Sequence, residues 1–198
     1  MIFGRKKEPE FTADLVLNLY CQGIFPMADS HGKISWYSPD PRCIFDFDFF
    51  HVPKRLMRTY RQGVFEIKVN QSFEEVMWAC ADREETWINE DIVRVYSQLN
   101  QHGFAHSVET YFEGQLVGGL YGVSIGGAFM GESMFHRMTD ASKVALVFLV
   151  ERMKERGFVL LDTQYTNKHL ATFNARNISK DEYLTRLNAA LALDCRFD

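Results

Sequence analysis

The second half of the chain constrains the fold most, because strand, turn and helix patterns follow one another there in a definite order. Polar and apolar residues alternate over His106–Phe112, and the Glu-Gly pair that follows is typical of a tight hairpin turn into Gln115–Ser124. A Gly-Gly pair then predicts a second turn into Ala128–Glu132. These short turns predict three neighbouring antiparallel strands, because strands joined by tight turns usually pair with each other.

A long helix and a buried strand follow these three strands. Apolar residues recur at helical spacing from Val144 to Met153, and Gly157 is a typical helix stop. The next apolar run, Val159–Leu161, predicts a buried strand that ends in an Asp-Thr-Gln triplet. Antiparallel strands, a helix and a strand that re-enters the sheet indicate the α+β fold class.

The first half of the chain has weaker patterns, and residues that cap helices mark most of its boundaries. Thr12, Ser72 and Asn89 each precede a segment with helical periodicity, so we expect them to be N-caps. Ile34–Tyr37 predicts a short strand, whereas the GIFPM segment before it is expected to turn sharply at Pro26.

Composition describes an ordinary folded protein. The chain has 198 residues, of which 46% are hydrophobic and 24% charged, which excludes a disordered or low-complexity chain. This length fits one full domain or two small ones. The loop near residues 82–88 is the expected boundary, and it divides the chain into residues 1–85 and 86–198.

Neither a metal nor a membrane is expected. The four cysteines lie far apart without a C-x-x-C pair, and the only close histidines, His102 and His106, bracket the expected helix stop Gly103. We therefore expect reduced thiols and no metal. No apolar run reaches about 18 residues, as a membrane helix requires, and the first residues contain no apolar signal core. The expected location is cytoplasmic.

A short basic segment stands out against the net charge of −4. Residues 51–62 contain no acidic residue, and a helix would bring their cations onto one side. The four cations are Lys54, Arg55, Arg58 and Arg61. They are either a solvated helix face or a small patch that binds the phosphates of a nucleic-acid end.

Three short segments contain polar residues where the surrounding sequence is apolar. They are WYSPDPR at 36–42, GESMF at 131–135 and DTQ at 162–164. A carboxylate directly after a buried strand often faces a crevice at the sheet edge, although Asp162 could also cap a turn. Glu132 could likewise pair with Arg137 or Lys143, or face a ligand.

The chain resembles the bacterial leucyl/phenylalanyl-tRNA–protein transferases. The matching segments, in family order over roughly residues 15–187, are GIFPM, WYSPDPR, TWI, FAHSVE, LVGGLYGV, FMGESMF, ASKVAL, LLDTQ and DEYL. The chain is identified as a short, N-terminally reduced member, with a charged leader in place of the usual glycine-rich segment and an early C-terminal end. Met27 replaces an aromatic residue, and Glu85 replaces a glycine before Thr-Trp-Ile.

The resemblance implies transfer of Leu or Phe, with Met as a further candidate, from aminoacyl-tRNA to the N-terminal Lys or Arg of a protein. The product would be marked for degradation. The implied fold is an acetyltransferase-like (GNAT-like) mixed-sheet catalytic domain, at 86–198 here, with a small N-terminal α/β subdomain that contacts the nucleoside and tRNA. No cofactor is expected, because the residues at 115–120 do not form a loop that cradles coenzyme A. A monomer is expected.

The resemblance also assigns roles to residues. Asp162 and Gln164 are the expected catalytic pair, and the basic helix is expected to bind tRNA. Substrate contacts are expected from Leu120, Phe129, Leu146 and Leu161 around the aminoacyl side chain, from Tyr20, Met27 and Trp87 at the adenosine, and from Glu132 and Thr163. The absence of a Ser-His-Asp or Cys-His pattern agrees with direct attack of the amine on the ester.

Two alternatives stay open at this stage. The chain could be a non-catalytic protein that binds N-terminal Lys or Arg, as the substitution at Met27 and the reduced N-terminal segment would allow. It could also be a related transferase that uses another aminoacyl-tRNA donor. An intact Asp162-Thr163-Gln164 segment argues against the non-catalytic alternative.

Overall fold

A computed structural model describes residues 10–198, so the first nine residues of the expected N-terminal subdomain lie outside the described part. The helices are α1 (Ala13–Tyr20), α2 (Lys54–Arg61), α3 (Phe73–Ala81), α4 (Glu90–Gln101), α5 (Ala141–Glu155), α6 (Lys168–Ala171) and α7 (Lys180–Leu191). The strands are β1 (Phe25–Ala28), β2 (Ile34–Tyr37), β3 (Arg42–Phe45), β4 (Glu66–Val69), β5 (Ala105–Phe112), β6 (Gln115–Ile125), β7 (Ala128–His136), β8 (Leu160–Gln164) and β9 (Arg176–Ile178). No helix in this part is long and apolar enough to cross a membrane.

One mixed sheet forms the centre of the protein, and this confirms the predicted α+β class. Its strand order is β4-β5-β6-β7-β8-β3-β9, and β7 and β8 are the parallel pair, with α5 connecting them. The predicted meander of β5, β6 and β7 is confirmed. Strands β1 and β2 form a separate antiparallel hairpin.

The two faces of the sheet bury separate apolar clusters, because side chains alternate along each strand. We call one the α4 cluster; it includes Tyr20, Met77, Ile92, Tyr96 and Leu187. We call the other the α5 cluster; it includes Leu56, Leu120, Phe129, Leu146 and Leu161. Helices α3 and α4 therefore cover one face, and α2 and α5 cover the other.

Local sequence signals account for most of the helix boundaries. Thr12 and Asn89 accept hydrogen bonds from backbone N–H groups of the first helical turn, as predicted. The helix predicted after Ser72 is present, but the Ser72 hydroxyl accepts a hydrogen bond from the Tyr111 hydroxyl and makes no cap bond. A tertiary contact has replaced the local one.

The expected sharp turn at Pro26 is wrong. Pro26 lies inside β1, opposite Trp36 of β2. Proline lacks an N–H group, and a two-stranded hairpin tolerates it because both of its strands are edges. The extended conformation predicted for Ile34–Tyr37 is confirmed.

Strands from the first half of the chain enter the main sheet. Strand β4 pairs with β5 at one edge, and β3 lies between β8 and β9 at the other. The division of the chain at residue 85 stays a prediction, although strands from before and after this residue belong to the same sheet.

Candidate active site

A pocket of about 200 Å³ opens where β7 and β8 separate. The two strands pair only from Ala128 opposite Leu160 to Met130 opposite Asp162, and they diverge beyond that point. The pocket is lined by Phe45, Arg83, Trp87, Leu120, Tyr121, Gly131, Glu132, Ser133, Met134, Leu146, Leu149, Leu161, Thr163, Asn167 and Leu170. Its position at the end of a parallel pair is typical of ligand sites in sheets with helical crossovers.

Two β-bulges direct polar side chains to this region. In β7, Ser133 pairs with Tyr121 and Gly131 pairs with Gly122, which leaves Glu132 as the extra residue. Gly122 permits this close approach, because a Cβ atom there would lie 2.3 Å from the Met130 carbonyl oxygen. Bulges commonly change the direction of a side chain beside an active site.

The second bulge is in β8, at the Asp-Thr-Gln triplet. Asp162 pairs with Ile44 and Gln164 with Cys43, so Thr163 is the extra residue, and its hydroxyl donates to the Cys43 carbonyl oxygen. Gln164 has a φ of 56°, which is left-handed backbone that few residues other than glycine adopt. Strained backbone of this kind is concentrated at functional sites.

A buried ion pair fixes the end of β8. The Arg42 guanidinium donates from Nε to Asp162 Oδ1 at 2.9 Å and from Nη2 to Asp162 Oδ2 at 2.5 Å. The side chains are 1% and 0% exposed, and a third Arg42 donor, Nη1, reaches the Gly23 carbonyl oxygen at 3.0 Å. A bidentate pair of this type has both high strength and a fixed geometry.

Two further donors complete the surroundings of the Asp162 carboxylate. The Tyr183 hydroxyl donates to Oδ2 at 2.9 Å, and the Gln164 backbone N–H donates to Oδ1 at 2.9 Å. Burial, with the neighbouring Asp162 charge, raises the pKa of Tyr183 and keeps its hydroxyl protonated. Asp162 therefore does cap a turn, as one sequence interpretation proposed, and it also holds the buried Arg42.

Glu132 is the carboxylate residue among those that line the pocket within residues 10–198. Burial raises the pKa of Glu132 to about 8; contact with the Tyr20 hydroxyl opposes this increase and the Asp162 charge adds to it. The Gln164 amide Nε2 donates to Glu132 Oε1 at 3.4 Å. In the described residues Glu132 has no ion pair with Arg137 or Lys143, so those two predicted partners are wrong.

The opposite side of the pocket is apolar. Leu120, Leu146 and Leu161 line it, and all three belong to the α5 cluster. Phe129 belongs to the same cluster but is fully buried against Phe197, with the ring centroids 5.1 Å apart, and does not line the pocket. Met134, which sequence reasoning did not select, completes the apolar surface.

The three residues predicted at the adenosine occupy different positions. Trp87 lines the pocket, and its carbonyl oxygen accepts from the backbone N–H of Ala28. Tyr20 is 1% exposed, and its hydroxyl lies 2.5 Å from that of Tyr96 behind Glu132. Met27 packs on the α4 cluster and is not among the lining residues.

The basic helix was predicted with its correct bounds, Lys54–Arg61. Three of its four cations, Lys54, Arg58 and Arg61, line a surface cavity of about 460 Å³. Arg55 pairs with Asp140 at 2.8 Å. The helix packs on α5, away from the pocket lining.

Several site residues were not selected from the sequence as functional. Arg42 and Tyr183 lie in the WYSPDPR and DEYL segments, but nothing local indicates that both meet Asp162. Tyr121 lines the pocket, and its buried hydroxyl finds no partner within residues 10–198. Among the same residues, no group of His, Cys, Asp and Glu side chains is arranged to hold a metal ion.

Comparison with known proteins gives matches along nearly the whole chain. Residues 44–188 match the family model described as leucyl/phenylalanyl-tRNA protein transferase, and residues 9–40 match the model of its N-terminal domain. Proteins named leucyl/phenylalanyl-tRNA–protein transferase are similar to this chain. That of Gloeobacter violaceus is 55% identical over 187 residues, covering 94% of this chain and 97% of the relative. That of Rubrobacter xylanophilus is 52% identical over 187 residues, covering 94% and 98%.

The chain is also similar to solved structures of low sequence identity. A GCN5-related N-acetyltransferase-like protein from Streptococcus suis matches with a TM-score of 0.42 and 14% identity, over 84% of this chain and 64% of that one.

Proposed function

Because the chain belongs to the leucyl/phenylalanyl-tRNA protein transferase family, we propose that it transfers Leu or Phe from aminoacyl-tRNA to N-terminal Lys or Arg of acceptor proteins. It is an aminoacyltransferase with an aminoacyl-tRNA donor and a protein acceptor. The transferred residue becomes the new N-terminus and marks the acceptor for degradation. The observation that best supports this proposal is that the pocket has one apolar wall and one polar wall.

The apolar wall suits the side chain of the donor amino acid. Leu120, Leu146 and Leu161 present methyl groups to the pocket, so Leu and Phe side chains gain from leaving water. One methylene in such a pocket changes selectivity by only about 1–3 kcal/mol, so preference among Leu, Phe and Met is graded. Trp87 at the same pocket offers an aromatic face on which the terminal adenine stacks.

The polar wall, formed by Glu132 with the buried Gln164 in contact with it, suits the incoming amine. The Gln164 amide nitrogen donates to Glu132, while its amide oxygen accepts no hydrogen bond from the described residues. That oxygen can accept from the α-amino group and point the nitrogen lone pair at the ester carbon. An α-amino group has a pKa of about 7.7–8.0, so a substantial fraction is already neutral at neutral pH.

The reaction then needs positioning more than a strong base. The amine nitrogen forms a bond to the ester carbon, the bond from that carbon to the ribose oxygen breaks, and the amine proton passes to the ribose oxygen through water. Asp162 acts as a positioning residue in this proposal, because Arg42, Tyr183 and the Gln164 N–H occupy its carboxylate.

Glu132 is the group proposed to recognise the acceptor. Its carboxyl, with a pKa of about 8, lies at the pocket beside Gln164. A cationic Lys or Arg at the acceptor N-terminus favours the ionised carboxylate and forms a charge-assisted hydrogen bond with it. Helix α2 is proposed to hold the phosphates of the tRNA acceptor arm through Lys54, Arg58 and Arg61.

The test uses radiolabelled Leu-tRNA or Phe-tRNA and four acceptor proteins that differ only in their N-terminal residue, Arg, Lys, Ala or Glu. We expect label in acid-insoluble protein for the Arg and Lys acceptors and background label for the other two. Equal labelling of all four would contradict the acceptor assignment. Binding of an Arg peptide without any transfer would instead favour the non-catalytic alternative.

A further inference from the structure

A second cavity, of about 230 Å³, adjoins the pocket between the end of α3 and the end of β7. We call it the α3–β7 groove. It is lined by Ala79, Cys80, Asp82, Arg83, Met134, Phe135, His136 and Arg137. Arg83 and Met134 line both cavities, so the groove is continuous with the rim of the pocket.

Two guanidinium groups, each held by hydrogen bonds, line the groove and make it basic. Arg83 donates from Nε to the Cys80 carbonyl oxygen at 2.8 Å and from Nη2 to the Ser133 hydroxyl at 2.5 Å. Arg137 donates from Nη1 to the Leu116 carbonyl oxygen at 3.1 Å. Each interaction fixes a side chain, and the remaining guanidinium N–H groups find no acceptor in the part of the chain that the structure describes. A fixed guanidinium suits a phosphate.

Neither arginine is neutralised by a neighbour. Both residues are exposed, and in residues 10–198 neither forms an ion pair with a carboxylate. Among residues 10–198, Asp82 is the one carboxylate residue that lines the groove, so the two arginines outnumber it, and His136 adds a third group that can bind an anion.

The end of the groove at Arg137 is close in the chain to a residue that contacts the basic helix. Arg137 lies three residues before Asp140, and Asp140 pairs with Arg55 of α2 at 2.8 Å. One end of the groove therefore meets the pocket through Arg83, and its other end is close in the chain to the contact with α2.

We propose that the α3–β7 groove binds the phosphates of the single-stranded 3′ end of the donor tRNA. This inference rests on the proposed function, because it needs an aminoacyl nucleotide in the pocket and an acceptor arm at α2. The arginines contact the phosphates and not the bases, so the contribution is independent of sequence.

The test compares three donors that differ in their phosphates. Phenylalanyl-adenosine has none, a CpCpA trinucleotide carrying Phe on its 3′-terminal adenosine has only the single strand, and Phe-tRNA adds the acceptor arm. In Arg137→Gln or Arg83→Gln, we expect kcat/KM for the trinucleotide relative to phenylalanyl-adenosine to fall about tenfold, with the same fall for tRNA. Arg137→Lys, which keeps the charge, recovers part of the loss.

Two controls make the comparison specific. Arg94→Gln removes one exposed cation from α4 outside the groove, and we expect it to leave both ratios within about twofold. Lys54→Gln with Arg58→Gln removes charge from α2, and we expect it to lower the ratio for tRNA but not for the trinucleotide.

Three results distinguish a wrong groove assignment from a wrong proposed function. Unchanged ratios in both groove variants would overturn the groove assignment. An equal loss with all three donors would also overturn it, since the arginines would then act only by shaping the pocket. A wild-type protein that uses none of the three donors would instead refute the proposed function. If the Gln variants fail to fold, the salt dependence of wild-type transfer decides, because only the phosphate-bearing donors should lose rate as salt increases.

Discussion

The two walls of the pocket are built by different physical means. The apolar wall belongs to the α5 cluster, where many weak dispersion contacts together hold each side chain in place. Its residues are Leu120, Leu146 and Leu161. Glu132 forms the polar wall, and the buried Gln164, which is not among the lining residues, contacts it; both depend on a few directional bonds with fixed partners. Shortening one side chain of the apolar wall removes only some of its contacts, so the geometry of that wall changes little. Removing one hydrogen-bond partner from the polar wall removes a whole bond, so the orientation of the remaining side chain is lost.

This difference separates two tasks of the site. The apolar wall sets which amino acid is carried, and small changes there should shift preference without stopping the reaction. The polar wall sets the geometry of attack, and changes there should lower the rate for every donor. Substitutions in the two walls therefore have different expected signatures.

The largest expected effect is that of Asp162→Ala, which would leave Arg42 buried without a counter-charge. We expect the free energy of unfolding to fall by about 3–5 kcal/mol. We also expect transfer to fall at least about tenfold, because the Gln164 turn loses its acceptor. Denaturant unfolding and the transfer assay measure the two effects separately.

A double variant distinguishes an unpaired charge from lost packing. Arg42→Met with Asp162→Leu removes both charges, so its loss of stability should be smaller than the sum of the two single losses. Transfer should stay low, since the Gln164 backbone N–H then has lost its carboxylate acceptor. Additive losses of stability would show that the ion pair is not what joins β3 to β8 at this point.

The second effect concerns the pH dependence of stability through Glu132. Its pKa is about 8 in the folded protein against an ordinary value of 4.5, so the folded state binds more protons between these values. The free energy of unfolding should therefore fall as pH rises from about 5 to 8. In Glu132→Gln this fall should shrink by an amount on the order of 3 kcal/mol, because each pH unit in this range contributes about 1.4 kcal/mol while only the folded state holds the proton.

The measurement is denaturant unfolding of both proteins across this pH range. Parallel pH profiles would contradict the shifted carboxyl. His106 and His169 also contribute to the pH dependence of stability, because burial lowers the pKa of both imidazoles. Their contribution is the same in both proteins and cancels in the comparison.

The smallest effect is expected in the apolar wall. Leu146→Val removes one methylene from the pocket and should cost about 1 kcal/mol of stability. It should raise the preference for Phe over Leu donors by less than about tenfold, because the pocket becomes wider. Competition between Phe-tRNA and Leu-tRNA measures the ratio.

Val150→Ala is the matched control for this substitution. Val150 is buried in α5 but does not line the pocket, so stability should fall without a change in donor preference. An equal change of preference in both variants would show that the helix, and not the pocket surface, sets selectivity.

The same contrast explains what the sequence alone could predict. Periodicity and turn residues predicted α2, α5 and the β5–β6 hairpin, because each depends on neighbours along the chain. The residues of the apolar wall were assigned by the family resemblance, and Phe129, which the resemblance also assigned, does not line the pocket. The end of α5 near Gly157 was likewise predicted from a local signal.

The contacts that support the polar wall needed long-range information, whereas Glu132 and Gln164 themselves were assigned by the family resemblance. Arg42 and Asp162 are 120 residues apart, and nothing in either segment specifies the other. Strands β3 and β9 were not predicted, because short strands are defined by the partners that they join and not by a pattern of their own. The bulges that expose Glu132 and Thr163 depend on register between strands, which a single segment does not reveal.

The left-handed backbone at Gln164 has an evolutionary consequence. Holding a residue other than glycine at a φ of 56° costs stability, on the order of 1–2 kcal/mol. Gln164→Gly would release that cost and at the same time delete the amide that we propose orients the amine. Selection for thermal robustness alone would therefore favour a sturdier but inactive protein, and only selection for transfer retains the glutamine.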